Sequence, residues 1–247
     1  MKHILIIGAT SAIVHATAIR FAETGAQLYL VARNEAKLRA NADDLRVRGA
    51  SRVEVDRLDV NELAAHGPLL ERAWAALGEV DVVLVGHGTL PDQPRSEQDI
   101  DYALAEFQTN ATSTIALLAR LANRLEAQQF GTLAVISSVA GDRGRKSNYL
   151  YGAAKSAVTT YLAGLRGRLH RAGVRVITIK PGLVDSPMTA HLDKGPLFSS
   201  ADKAGALCYD AILKGKETVY VPSYWRLIMT LIKLMPETIF KRLNLSA

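Results

Sequence analysis

The chain holds a single cysteine, Cys208, among 247 residues, so it can form no internal disulfide and nothing in it calls for an oxidising compartment. Aromatic residues are scarce, at 6%. The basic clusters Arg143/Arg145/Lys146, Arg166/Arg168/Arg171 and Lys241/Arg242 therefore have few stacking platforms between them. They read as solvated faces of a chain with net charge +6, and a nucleic-acid groove is not expected. Long apolar runs are missing too. The first, Ile4 to Ile7, stops at Gly8, short of the ~7–15 residues of a signal-peptide core. No Pro/Gly/Ser-rich linker, low-complexity stretch or internal repeat divides the sequence, no His/Cys/Asp/Glu cluster has metal-ligand spacing, and no Gly-x-Ser-x-Gly occurs. These absences exclude a disulfide scaffold, a structural zinc module and a serine-hydrolase elbow, and they leave one cytoplasmic domain with no metal.

What is present is 49% hydrophobic residues in short, regularly spaced runs. His3–Ile7, Gln27–Val31, Val80–Val85, Thr132–Ile136 and Val174–Ile179 are too short for helices and rich in Val, Ile and Leu, the pattern of buried strands. Helix-like segments lie between and after them: 14–23, 34–48, 62–77, 100–129 and 150–172. Alternation of this kind predicts an α/β, Rossmann-type, doubly wound parallel sheet with helices on both faces. Ligands of such a sheet sit beyond the carboxyl ends of the strands, so the informative residues should follow the strands.

After the first strand comes Gly8-Ala9-Thr10-Ser11-Ala12-Ile13-Val14. A dinucleotide fold needs a tight turn here, bringing backbone N–H groups and a helix N-terminus to a pyrophosphate, and Gly8 supplies it. Ala12 and Val14 stand where glycines usually allow close approach, so a plain strand–helix turn is the competing reading. After the second strand, the zone where an acid would bind the ribose 2′-hydroxyl of NAD holds Ala32-Arg33-Asn34. Arg33 suits a 2′-phosphate, and hence NADP, since its guanidinium makes charge-assisted bonds to phosphate; otherwise it is a solvated loop arginine.

Tyr151 and Lys155 are four apart at the start of a predicted helix, which places them on one face. A neighbouring ammonium favours phenolate and would lower the phenol pKa from its reference near 10, making Tyr151 a proton donor or acceptor. Tyr149 would face elsewhere. Ser138, after the fourth predicted strand, can hydrogen-bond a substrate oxygen. A lone His87 is read as a structural or cofactor-lining residue.

In this order and at these spacings, Gly8-Ala-Thr-Ser, Asn110, Ser138, Tyr151, Lys155 and Pro181-Gly182 resemble the short-chain dehydrogenase/reductase family over roughly residues 3–190. The resemblance implies that Tyr151 is the general acid/base, that Lys155 lowers its pKa and holds the nicotinamide ribose, and that Ser138 orients the carbonyl. It implies that Asn110 kinks its helix and holds a water of the proton relay. For the cofactor, it implies contacts from Gly8, Thr10, Ser11, Ile13, Arg33, from Asp59 and Val60 at the adenine, from Gly86 and Gly88, and from Pro181, Gly182, Val184 and Ser186 at the nicotinamide. Two departures stand out: Ala12 and Val14 in the glycine turn, and Val85-Gly86-His87-Gly88 where the family has Asn-Asn-Ala-Gly. The expected function is NADP(H)-dependent hydride transfer to or from a small carbonyl or secondary alcohol, in a homodimer or homotetramer. A non-catalytic nucleotide-sensing or scaffold protein on the same fold is the alternative.

Past a last strand at residues 219–222, residues 224–247 form an apolar and basic extension of the catalytic domain 1–223. Pro236 divides it into two short amphipathic helices. One reading is a lid over the cleft or a subunit contact. The other is a helix in the membrane interface, with Trp225 and the cations at headgroup level, on the inner face of the membrane. Together with Lys180-Pro181-Gly182 and Met188-Thr189-Ala190-His191-Leu192, the segment also resembles a subgroup near the reductases acting on polyprenylphosphoryl keto-pentoses, which would imply a lipid-linked substrate.

Overall fold

The structure, a computed structural model, describes residues 2–243. Met1 and residues 244–247, the end of the expected C-terminal extension, lie outside the described residues. Seven parallel strands form one sheet in the order β3-β2-β1-β4-β5-β6-β9, where β1 is His3–Ile7, β2 Gln27–Ala32, β3 Arg52–Arg57, β4 Val82–Val85, β5 Gly131–Ile136, β6 Val174–Pro181 and β9 Thr218–Val221. Two short strands, β7 (Val184–Asp185) and β8 (Ser199–Ser200), pair apart from it.

Each central strand is buried on both faces, which is why these segments read as continuous apolar runs. Along β1, Ile4 and Ile6 point to one side and Leu5 and Ile7 to the other. The first side is covered by α1 (Ala12–Ala22), α2 (Glu35–Val47) and α8 (Ala201–Lys214) through Val14, Phe21, Leu38, Leu45 and Cys208. The second is covered by α3 (His66–Leu77), α6 (Ser113–Gln128) and α7 (Tyr149–Leu169) through Leu70, Leu117, Leu121 and Leu162.

Three elements depart from the sequence expectation. Strand β3 was not expected, because Arg-Val-Glu-Val-Asp-Arg carries charge at every other position. It is the sheet edge, where only one row of side chains needs covering, and Arg52–Glu54 and Arg72–Asp56 ion pairs line its outer side. Helix α8 was also not anticipated. The single helix expected over 100–129 is instead α5 (Ile100–Phe107), a π-helical turn at Gln108–Thr112 and α6. A short α4 (Gln93–Gln98) precedes them.

The basic clusters are not merely solvated. Arg143 donates to the Met235 carbonyl (2.6 Å) and to Glu237 (2.7 Å), and it stacks over Phe240. Arg166 ties the Val176 and Glu217 carbonyls and the Thr178 hydroxyl together at the edge of β6. Arg143 thus reaches the Met235 carbonyl that ends the helix after β9, and Arg166 ties β6 to the residue before β9.

After β9 the chain forms α9 (Tyr224–Leu234) and α10 (Glu237–Phe240), with Pro236 between them. Trp225 and Met229 pack inward on Val139. No helix among the described residues is long and apolar enough to cross a membrane.

Candidate active site

At the carboxyl ends of β1, β4, β5 and β6 lies a cavity of about 490 Å³. It opens where β1 is flanked by β2 on one side and β4 on the other, so that successive connections leave the sheet in opposite directions. Of the residues expected from the sequence to form the site, all line this cavity except Asn110, which stands behind it.

Gly8 makes the turn out of β1 with φ +84, a left-handed conformation that side chains rarely adopt. The Val31 carbonyl accepts from the N–H groups of both Gly8 and Ala9, fastening the turn to β2. The chain enters α1 through Ser11 in extended conformation, and its hydroxyl makes no capping bond. Thr10, Ser11, Ala12 and Ile13, at the positive end of the α1 dipole, therefore face the cavity.

The two sequence departures explain each other. A Cβ on Gly86 would stand 2.3 Å from Val14 Cγ2, so the valine fills the volume that Gly86 leaves. Val14 is thus accommodated by space that Gly86 leaves after β4.

At one end of the cavity stand Arg33 and Asp59, 4.0 Å apart, with Val60 beside them. Lys37 lines the same end, in the first turn of α2, whose start is capped by the Asn34 side chain. Lys37 was not among the residues expected here from the sequence, although it lies only four residues beyond Arg33.

At the other end, Ser138, Tyr151 and Lys155 come together. Ser138 leads from β5 into a 3-10 turn at Val139–Asp142, and its hydroxyl accepts from the Ala140 N–H (3.1 Å). That turn is anchored by the buried Asp142 carboxylate, which pairs with Lys180 on β6 and accepts from the Tyr220 hydroxyl on β9 (2.6 Å). Tyr151 and Lys155 rise from the first turns of α7, and Lys155 Nζ lies 5.5 Å from the Tyr151 ring centre. Tyr149, two residues earlier, is exposed and outside the cavity.

Burial pushes the Tyr151 phenol up to about 12; a hydrogen bond with Ser138 and the positive charge of Arg145 pull against it. The cation opposing burial at this phenol is thus Arg145, a residue the sequence reading placed on a solvated face. Burial also brings Lys155 down to about 8.

Asn110, on the π turn, is buried. Its Nδ2 donates to the Thr89 hydroxyl (2.8 Å) and to the Glu106 carbonyl (3.0 Å), while its Oδ1 accepts from the Thr89 N–H (3.0 Å). The extra residue of the π turn loosens the helical ladder at this point and frees the amide for these contacts. His87 is brought down to about 3 by burial and by the charges of Lys155 and His66, so it is neutral near pH 7; its Nε2 bonds the Thr114 hydroxyl (2.9 Å).

Pro181, Gly182, Val184 and Ser186 form the remaining wall, where Ser186 and Thr189 close a capping box around a short turn. Trp225 and Asn148 also line the cavity; Asn148 was not expected there, whereas Trp225 belongs to the segment for which one reading was a lid over the cleft.

Comparison with known proteins agrees with this architecture. Residues 2–196 match the family model described as short chain dehydrogenase. An uncharacterized oxidoreductase of Mycobacterium tuberculosis is 35% identical over 240 residues, covering 97% of this chain and 96% of that protein. An uncharacterized oxidoreductase of Streptomyces coelicolor is 35% identical over 243 residues, covering 98% and 96%. The solved structure of levodione reductase superposes with a TM-score of 0.80 at 22% identity, over 89% of this chain and 95% of that one, a likeness of fold. The protein is an oxidoreductase belonging to the short chain dehydrogenase family, whose members use a nicotinamide cofactor.

Proposed function

We propose that the protein transfers hydride between NADP(H) and a small carbonyl compound or secondary alcohol, with Tyr151 as proton donor and acceptor. The observation that carries this reading is the meeting of Ser138, Tyr151 and Lys155 in one corner of a cleft whose far end presents Arg33 and Lys37.

The cleft fits a dinucleotide. The Gly8 turn and the N-terminus of α1 offer backbone donors to a pyrophosphate, and Arg33 with Lys37 offers two cations to a ribose phosphate. Asp59 lies 4.0 Å from Arg33, near enough to steer the guanidinium without occupying it as a close ion pair. The bound nicotinamide supplies or accepts the hydride.

The chain's own residues handle the oxygen and its proton. The Ser138 hydroxyl is placed to hold the carbonyl oxygen, and the Tyr151 hydroxyl to give it a proton. With its phenol pushed up to about 12, Tyr151 carries its proton at neutral pH, the form that carbonyl reduction requires. Lys155 puts a second positive charge into this corner, and Asn110 holds Thr89 and the π turn behind it.

The test is a titration with NADPH and NADH, followed by a screen of carbonyl compounds with the wild type and Tyr151→Phe. The substitution removes one hydroxyl and little volume, so turnover should disappear while NADPH still binds. Substantial activity in Tyr151→Phe would refute the assignment, and failure to bind either nucleotide would refute the cofactor site.

A further inference from the structure

Helix α9 is apolar on two opposite faces. The inward face carries Trp225 and Met229, 4% and 1% exposed, with Ile232 beside them. Opposite them, at helical spacing, Leu227, Leu231 and Leu234 are 67%, 61% and 76% exposed. Past Pro236, Ile239 adds a further apolar side chain, 52% exposed, and Leu243 another at the end of the described chain. Soluble surfaces scatter single leucines; three aligned on one helix face, continued by Ile239, make a patch that calls for an occupant.

The charges of 224–243 that lack an ion-pair partner are all of one sign. Arg226 and Lys233 flank the leucine row on α9, and Lys241 and Arg242 follow α10; all four are exposed, and none is in an ion pair among the described residues. The only acid in 224–243 is Glu237, which is paired with Arg143. The helix is bound to the rim of the cleft: Trp225 lines the cavity, and the Tyr224 hydroxyl donates to the Leu197 carbonyl (3.0 Å), beside exposed Leu197 and Met188.

We propose that the outward face of α9, continued by α10, docks on an anionic lipid surface, with the leucines entering the acyl boundary and the four cations at headgroup level. This places the cleft mouth beside the bilayer. The geometry favours lipid over a second copy of the chain. A two-fold contact through this row would bring each cation cluster towards its own copy, and an 11-residue helix about 16 Å long offers far less than the roughly 800 Å² per partner of a stable interface. A bilayer instead complements both the leucines and the charge. The inference does not depend on the reaction assigned to the cleft.

The experiment is cosedimentation of the full chain with vesicles of phosphatidylcholine alone or mixed with phosphatidylglycerol, at low and high salt. Wild type should pellet with the anionic vesicles, and about tenfold less at high salt, since the headgroup attraction is screened. Leu227→Asp/Leu231→Asp/Leu234→Asp should lose that binding while keeping its melting temperature and its NADPH affinity, because these side chains touch neither the core nor the cleft. Absence of wild-type binding to anionic vesicles, or unchanged binding by the triple variant, would overturn the proposal. So would a halving of the native mass in the triple variant, which would assign the face to a second copy. Loss of NADPH binding in the wild type would instead strike at the cofactor reading and leave the vesicle result standing.

Discussion

The indole of Trp225 lies against Gly182 so closely that a Cβ on the glycine would stand 1.9 Å from Nε1. The loop after β6 and the helix after β9 are therefore fitted to one another across the cleft wall, and the missing side chain at 182 is what lets α9 close. Trp225 is buried and its N–H has no hydrogen-bond partner in the protein, the nitrogen edge being packed on Gly182. Gly182→Ala should push α9 outward, lowering the thermal midpoint by several degrees and weakening NADPH binding. The double variant Gly182→Ala/Trp225→Phe, which removes the nitrogen edge but keeps an aromatic ring, should recover part of the stability. Calorimetry and a fluorescence titration check both.

Cofactor choice should depend on Arg33. A charge-assisted contact to the ribose phosphate contributes about 1.5–3 kcal/mol, or roughly ten- to hundredfold in affinity. Arg33 is about two-thirds exposed, so the lower end is expected, with Lys37 supplying part of the same attraction. Arg33→Asp should bring NADPH affinity to or below that of NADH. Equal affinities in the unmodified protein would remove the argument.

Lys155 should cost the fold stability. Its native pKa of about 8 lies below the unfolded value near 10.5, so below pH 8 the folded state carries a desolvated charge, at about 3 kcal/mol or less. Between pH 8 and 10.5 the unfolded chain binds more protons at this group than the native state, and stability from it rises with pH. Lys155→Met should accordingly melt at a higher temperature than wild type at pH 7, and the gain should shrink as pH is raised towards 10. The same variant should be inactive.

The Asn110 amide makes three hydrogen bonds from a buried position. Asn110→Ala would leave the Thr89 N–H without its acceptor and take one donor from the Glu106 carbonyl, at a cost of roughly 1–3 kcal/mol. Activity should fall by more than that loss of stability explains, because the π turn positions the side of the cleft next to Lys155. Chemical denaturation and turnover under stabilising conditions separate the two.

Much of the architecture was legible in the sequence because an all-parallel sheet buries both faces of its central strands, and Ile4–Ile7 or Val82–Val85 cannot be read as anything amphipathic. The pattern fails where burial is one-sided: β3 alternates charge with valine and was lost. The π turn was invisible to periodicity, since one extra residue hardly disturbs the apolar spacing of 100–129; only the resemblance at Asn110 pointed to a kink. Gly8, Ser138, Tyr151 and Lys155 were legible because turn chemistry and one helix face fix them. Arg145 was not, although it lies between Ser138 and Tyr151, because it belongs to the cluster Arg143/Arg145/Lys146 and such clusters ordinarily stay in water.

The strand order has a consequence for how the chain is made. β1 leaves the ribosome first, yet it sits third in the sheet, and Ile4 pairs on one side with Leu28 and on the other with Val82, 78 residues downstream. Until β4 arrives, β1 presents a bare apolar edge; until β5 follows, β4 does the same. Pairings that span such distances close slowly, and an unfinished edge is a template for a neighbouring chain. Soluble yield should therefore be limited by the rate of synthesis more than by the stability of the finished molecule, and slowing expression by cooling should recover material that faster synthesis loses to aggregation.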